Sequence, residues 1–315
     1  MRKNNQGTKV FSGALLLAAA LLVSSVGASA QTMTTSAKAT PASYDPTAAI
    51  EVSLGDGPTG AASDGTNVWV TNQFSNTVMK VGPDGSVLGK FAVGRNPTGI
   101  ASDGKNVWVA NYQDDTVTKL SLDGTVVGTF SVGNGPQAVL IAGESVFVAN
   151  DKGNTVTKLS SSGVVAGTFK VGKRPVALAS DGTNVWVANN KSNTVTKLSA
   201  AGAELGTYPV GDGPTGLAFD GQSVWVSNFF SDNVMKLNVA DGSVAAKVTV
   251  GDGASGMAIN GGDLLVVNNG SNSISVVSGD AVYTTLKVGQ APFGIAVTPN
   301  GVWVTNTGSH SVSRR

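Results

Sequence analysis

The chain has 315 residues, 41 of them glycine, with no cysteine, a single histidine and a formal net charge of +1. Without cysteine there is neither a disulfide framework nor a thiolate metal site, and one imidazole leaves little room for histidine chemistry. The near-neutral balance offers no attraction to nucleic acid or to an anionic membrane surface.

Residues 1–30 read as a processing segment. Arg2, Lys3 and Lys9 form a basic leader, Ala14 to Val23 an apolar run, and Ala28-Ser29-Ala30 a small-residue cleavage pattern before Gln31. The apolar run is too short to span a bilayer comfortably. Once the leader is removed, 18 basic side chains face 20 acidic ones and no integral membrane segment is left. The expected location is secreted or periplasmic. Residues 31–46, rich in Thr, Ser, Ala and Pro, read as a flexible linker.

From residue 47 to 315 one pattern recurs. The proline of a VGxxP opening falls at Pro58, Pro97, Pro136, Pro175 and Pro214, 39 residues apart each time, with altered copies at Ala254 and Pro292. A period near 40 without helical patterning is a solenoid or propeller signature. In the second copy, Pro97–Ala101 is a short first strand and Asp103-Gly104 a two-residue hairpin with positive φ at both positions. Asn106–Ala110 is the second strand, Asn111–Asp115 a polar loop and Thr116–Ser121 the third strand. Asp123-Gly124 then turns into a fourth strand, Thr125–Val132. Four antiparallel strands per repeat make one propeller blade.

Trp69, Trp108, Trp186, Trp225 and Trp303 occupy the same place in the unit, with Phe147 and Leu265 in the other two copies. A large flat side chain there suits packing of one twisted sheet on the next. The competing idea is an aromatic ladder for stacking a ligand. The inner strand always begins small, as at Gly60, Gly99, Ala138, Ala177, Gly216, Gly256 and Gly294. The last copy ends after a third strand, Ser311–Arg314, while Ala48–Gly55 matches the fourth-strand pattern upstream. The expected fold is therefore all-β: a seven-bladed propeller closed by an N-terminal strand pairing with the last blade, which removes exposed sheet edges.

The motif PTGIASDGTNVWVANxxSNTVTKLS resembles the YVTN-type β-propeller repeat, within the broader set of propellers that includes virginiamycin B lyase. The resemblance covers nearly all of residues 48–315 and implies the fold without fixing a function. WD repeats fit less well, because Trp is followed here by Val and never by Asp. A lyase of the virginiamycin B type would want more than one histidine, an acidic partner and magnesium. With His310 alone, that carry-over fails.

Site candidates are features that break the repeat on the face bearing the second-to-third loops and the links between blades. Asn72, Asn111, Asn150, Asn189, Asn228, Asn268 and Asn306 recur in every copy and read as structural, each amide bonding nearby backbone. Asp56, Asp212 and Asp252 lie on some links, and Arg95, Lys173 and Arg174 on others, with Lys152 and Lys191 on adjoining loops. Closure would give the face an acidic arc opposite a basic one. The basic set reads as an anion or carboxylate site or, the reading the pattern favours, as solvated loop charges. Phe74, Tyr112, Phe229, Phe230 and Phe293 break the polar loops, so they either fold inward or meet a partner. His310 could be a general base, a weak ligand or neither. Asp114, Asp115 and Asp151 form no recognisable cation loop.

No catalytic set, metal or cofactor is implied. The first functional reading is a monomeric, exported binding or interaction module for a small ligand or protein partner. A streptogramin-lyase or lactonase-like enzyme and a structural envelope protein are the alternatives.

Overall fold

The computed structural model describes residues 49–315. The leader expected over 1–30 and the linker expected over 31–46 lie outside the described residues. Among the described residues there are 28 strands and no helix, so no helix is long and apolar enough to cross a membrane. The strands form seven four-stranded antiparallel sheets. Blades one to six span residues 58–92, 97–131, 136–170, 175–209, 214–249 and 254–287. Blade seven takes its three inner strands from 292–314 and its outer strand from Ile50–Ser53.

Closure follows the expected register, with Ile50 opposite Arg314 and Ser53 opposite Ser311. Glu51 secures it. Its carboxylate accepts hydrogen bonds from Ser313 Oγ at 2.5 Å, from Asn306 Nδ2 at 3.3 Å and from Ser311 Oγ. Val52 turns inward into the cluster shared by blades seven and one.

The hydrophobic core is divided among the seams. In the first seam, Ala62, Trp69 and Val78 of blade one pack on Ile100, Val107, Val109 and Leu120 of blade two. All five tryptophans are at most 2% exposed. Three donate their indole N–H to a hairpin aspartate in the same blade: Trp69 to Asp64, Trp186 to Asp181 and Trp225 to Asp220, at 2.8–2.9 Å. They are therefore seam residues, and the ligand-ladder idea is set aside.

A cation on the third strand lies over each second-strand aromatic and reaches into the next blade. Lys80 sits 5.1 Å from the Trp69 ring centre and donates to Leu122 O at 2.8 Å. Lys119, Lys158 and Lys197 repeat the device, and Arg314 over Trp303 ties blade seven to Pro83 O of blade one. A cation held over a ring face and bonded to a carbonyl gains from both contacts.

Small residues on the inner strands have a steric cause beyond crowding at the axis. A Cβ on Gly216 would collide with Ser255 O, and one on Gly294 with Thr59 O, each on the neighbouring blade's inner strand.

Two expectations change. Asp103-Gly104 is not a two-residue turn. Only the glycine has positive φ, at 76°, and the loop widens because Asp103 Oδ1 accepts the N–H groups of Lys105 and Asn106 at 2.8 and 2.6 Å. The recurrent asparagines are fully buried, and apart from Asn72, whose amide has no hydrogen-bond partner among the described residues, their amides bond mainly to side chains rather than to backbone. Asn150 Nδ2 donates to Thr155 and Thr157 Oγ1, and Asn189 Nδ2 to Thr194 and Thr196 Oγ1. Asn111 is the case with a backbone partner, taking Gly94 N–H at 3.1 Å.

Candidate functional site

The loop face is built by one clasp repeated around the ring. Each second-to-third loop hydrogen-bonds the link that enters its own blade, as Tyr112 N–H does to Asn96 O at 3.0 Å. The last residue of each loop is left-handed and usually Asn or Asp, and its side chain accepts a link N–H from the next blade. Asn76 takes Asn96 N–H at 2.9 Å, Asp115 takes Gly135 N–H at 2.7 Å, and Asn154 takes Arg174 N–H at 2.9 Å. His310 holds this position in blade seven, with φ 52°. Its Nδ1 lies 3.5 Å from Gly57 N and 3.8 Å from Asp56 Oδ1. The geometry gives the imidazole the post that an amide or carboxylate holds elsewhere.

Each loop next presents the residue after the recurrent asparagine toward the channel mouth. This position differs in nearly every blade, from Gln73 to Tyr112, Asp151, Asn190, Phe229 and Thr307. Several bind the following blade, as Asn190 Nδ2 does to Pro214 O and Thr307 Oγ1 to Pro58 O. Tyr112 of blade two reaches Asp151, which holds the same position in blade three. The phenol donates to Asp151 Oδ2 at 2.8 Å, and Arg174 Nε donates to Asp151 Oδ1 at 2.9 Å. Asp151 is only 4% exposed. Burial, together with the carboxylate that accepts its proton, pushes the Tyr112 phenol up to about 12.

Around this triad, Lys152, Lys173 and Lys191 join Arg174 in lining a pocket that also includes Tyr112, Asp151 and Asn154. Lys152 Nζ lies 4.4 Å from the Tyr112 ring centre. Four cations therefore share a pocket with one carboxylate, and that carboxylate is already bound on both oxygens. Arg95 is not among them. Its Nε meets Asp114 Oδ1 at 2.5 Å on the neighbouring loop, and its N–H joined to Asp114 Oδ2 holds that carboxyl below the usual carboxylate range, against a smaller effect of burial.

Arg174 also lines the central channel, a cavity of about 400 Å³ whose mouth carries Phe229, Phe230 and Phe293. Phe230 is 72% exposed and lies over Gly213, as Phe74 lies over Gly57 at 66% exposure. Phe229 and Phe230 meet edge to face at 5.2 Å. Of the sequence candidates, Tyr112, Lys173 and Arg174 come together in the rim pocket, and Phe229 and Phe230 join Arg174 at the channel. Arg95, Asp212, Asp252 and His310 line neither; Asp212 accepts from Asn193 Nδ2 at 2.9 Å. Among the described residues, no group of three or more His, Asp or Glu side chains is placed to hold a metal ion. In the sequence Asp151 stands out only beside Asp114 and Asp115, which together form no recognisable cation loop; comparing the residue after each recurrent asparagine singles it out.

The chain resembles solved propellers over most of its length. A streptogramin B lyase superposes with TM-score 0.75 at 16% identity, covering 84% of this chain and 96% of that one. A catalytically inactive virginiamycin B lyase from Staphylococcus aureus with quinupristin gives 0.74 at 16% identity, covering 84% and 98%. Hydrazine synthase of Kuenenia stuttgartiensis gives 0.72 at 17% identity, covering 81% and 94%. At these identities the likeness establishes the fold. No protein-family model matches the chain, and no curated protein matches it.

Proposed function

We propose that this protein is an exported binding module that holds an anionic small ligand at its loop face, in the rim pocket of blades three and four. The observation behind this reading is the set Lys152, Lys173, Arg174 and Lys191 gathered beside a single buried carboxylate that is already engaged. Cations of one sign lining a concave wall concentrate field and favour a complementary charge. The clasped loops hold those side chains on a rigid base, which lowers the ordering cost of binding. Export is the reading of the basic leader and small-residue pattern in residues 1–30, and YVTN-type membership that of the recurring VWVAN strand.

A lyase reading has less behind it. The chain has one histidine, and its Nδ1 faces a backbone N–H and Asp56 at the blade-seven seam.

Calorimetric titration with inorganic phosphate and small carboxylates tests the proposal. The wild type is expected to bind with an affinity that falls as salt rises, and a Lys173→Ala/Lys191→Ala variant to lose about tenfold or more. Equal affinity in the two proteins, or no binding by either, would overturn it.

A further inference from the structure

We infer that the ligand is an amphiphile, with its charged head at Arg174 and its apolar chain in the central channel. This rests on the anion reading above and deepens it. The channel is apolar below its mouth. The inner-strand residues Ile100, Val139, Leu178, Leu217, Met257 and Ile295 line it, beneath a waist of glycine and alanine. Among the described residues, Arg174 is the one charged side chain on its wall and the one residue that lines both the channel and the rim pocket. At about 400 Å³ the cavity lies within the ~300–1,000 Å³ of ordinary small-molecule sites.

The setting of Arg174 adds a second observation. Its backbone is left-handed, with φ 55°, at a position where four other blades use Gly57, Gly135, Gly213 and Gly253. Asn96 and Ala291 fill the remaining two. Every residue with a Cβ pays for that conformation, and a long cation gains nothing from it locally. Asp151, 4% exposed, grips Nε and fixes the guanidinium plane. The two terminal nitrogens make no hydrogen bond to the described residues, and the side chain is 55% exposed. A planar fork held this way suits a carboxylate or sulfate head, with Lys173 and Lys191 supplying further charge. Phe229 and Phe293 at the mouth would cover the first methylenes of a chain entering from that head.

The test is a homologous series: acetate, hexanoate, octanoate and decanoate titrated at constant ionic strength below aggregation, with phosphate as competitor. In the wild type each buried methylene should tighten binding about fourfold. Val176→Trp fills the mouth at the bulge of its strand, from a residue outside the seam clusters. That variant should keep acetate-level affinity and lose the chain-length increments. Arg174→Gln should weaken every member about tenfold and keep the increments. Should Val176→Trp fail to fold by thermal melting, Gln137→Trp blocks the same mouth from blade three. Phosphate-competable binding with no dependence on chain length overturns the inference and leaves the anion reading standing. Increments that persist in both blocked variants place the chain elsewhere and also overturn it. Binding of no anion at all removes both readings.

Discussion

Glu51→Ala probes the strand that completes the ring. Three donors lose their acceptor, and two of them, Ser313 and Asn306, are fully buried while Ser311 is 3% exposed. A hydrogen bond to a charged group contributes ~1.5–3 kcal/mol net. The outer edge of Glu51 faces solvent, so water recovers part of the loss and the expected total is about 2 kcal/mol, or ~4–8 °C in melting temperature for a domain of this size. The matching position in blade three is Thr168, whose Oγ1 has one 3.4 Å contact with Thr157. Thr168→Ala should cost only ~0.5 kcal/mol. Glu51→Thr should recover roughly half of the loss, because its hydroxyl would face Ser313 as Thr207 faces Thr196 at 2.9 Å. Thermal and urea unfolding of the three variants decide the matter. If Glu51→Ala melts with the wild type, or if Thr168→Ala is as damaging, the carboxylate does not secure the closure.

Acid should weaken the seams. For Asp64 and Asp181 burial opposes ionisation, yet hydrogen bonds from backbone N–H groups and the Trp69 and Trp186 indoles outweigh it, so both carboxyls titrate below 3.8. Their stabilisation is present above that value and is lost as pH falls through the lowered one; tryptophan fluorescence should follow the loss, and Asp181→Asn should flatten it. Tyr112 acts in the opposite direction. Its phenol is raised from 10.0 to about 12, so its share of stability is complete below pH 10 and lost as pH rises toward 12; Tyr112→Phe should remove that alkaline limb from the stability profile. Gly216→Ala should destabilise by about 2–3 kcal/mol in urea unfolding through contact with Ser255 O. Gly182→Ala meets no atom and strains only its φ of 88°, so about 1 kcal/mol is expected.

Repetition made the fold legible in the chain. Pro97, Val107, Trp108 and Asn111 recur at fixed offsets, and the AAIEVSLG segment matches the fourth strand that the last copy lacks. What repetition conceals is contact across a seam. Nothing in the spacing says that Lys80 reaches Leu122 O in the next blade, or that Arg314 ends on Pro83 O of blade one. The charged face shows the same limit. Arg95 and Arg174 both sit on links between blades, yet Arg95, two residues before its proline, meets Asp114 in the loop of the blade it enters, while Arg174, one residue before its proline, crosses back to Asp151 on the preceding blade and lines the channel. The difference is set by which loop carries the acid, and that depends on three-dimensional neighbours. His310 is legible only in part: it follows Asn306 by four residues, as Asn76 follows Asn72 and Asp115 follows Asn111, but the spacing does not say that its imidazole faces Gly57 N–H and Asp56.

The clasp at Glu51 joins partners 260 residues apart in sequence, whereas the hairpins of blades one to six are local. Local pairings form fast and distant ones late, so during refolding six sheets can exist while the seventh waits with Ser311–Arg314 as a bare edge. The Ile50–Ser53 segment of another copy offers that edge the same register. Concentrated refolding should accordingly yield strand-exchanged dimers and longer chains of copies, and dilution should favour self-closed rings.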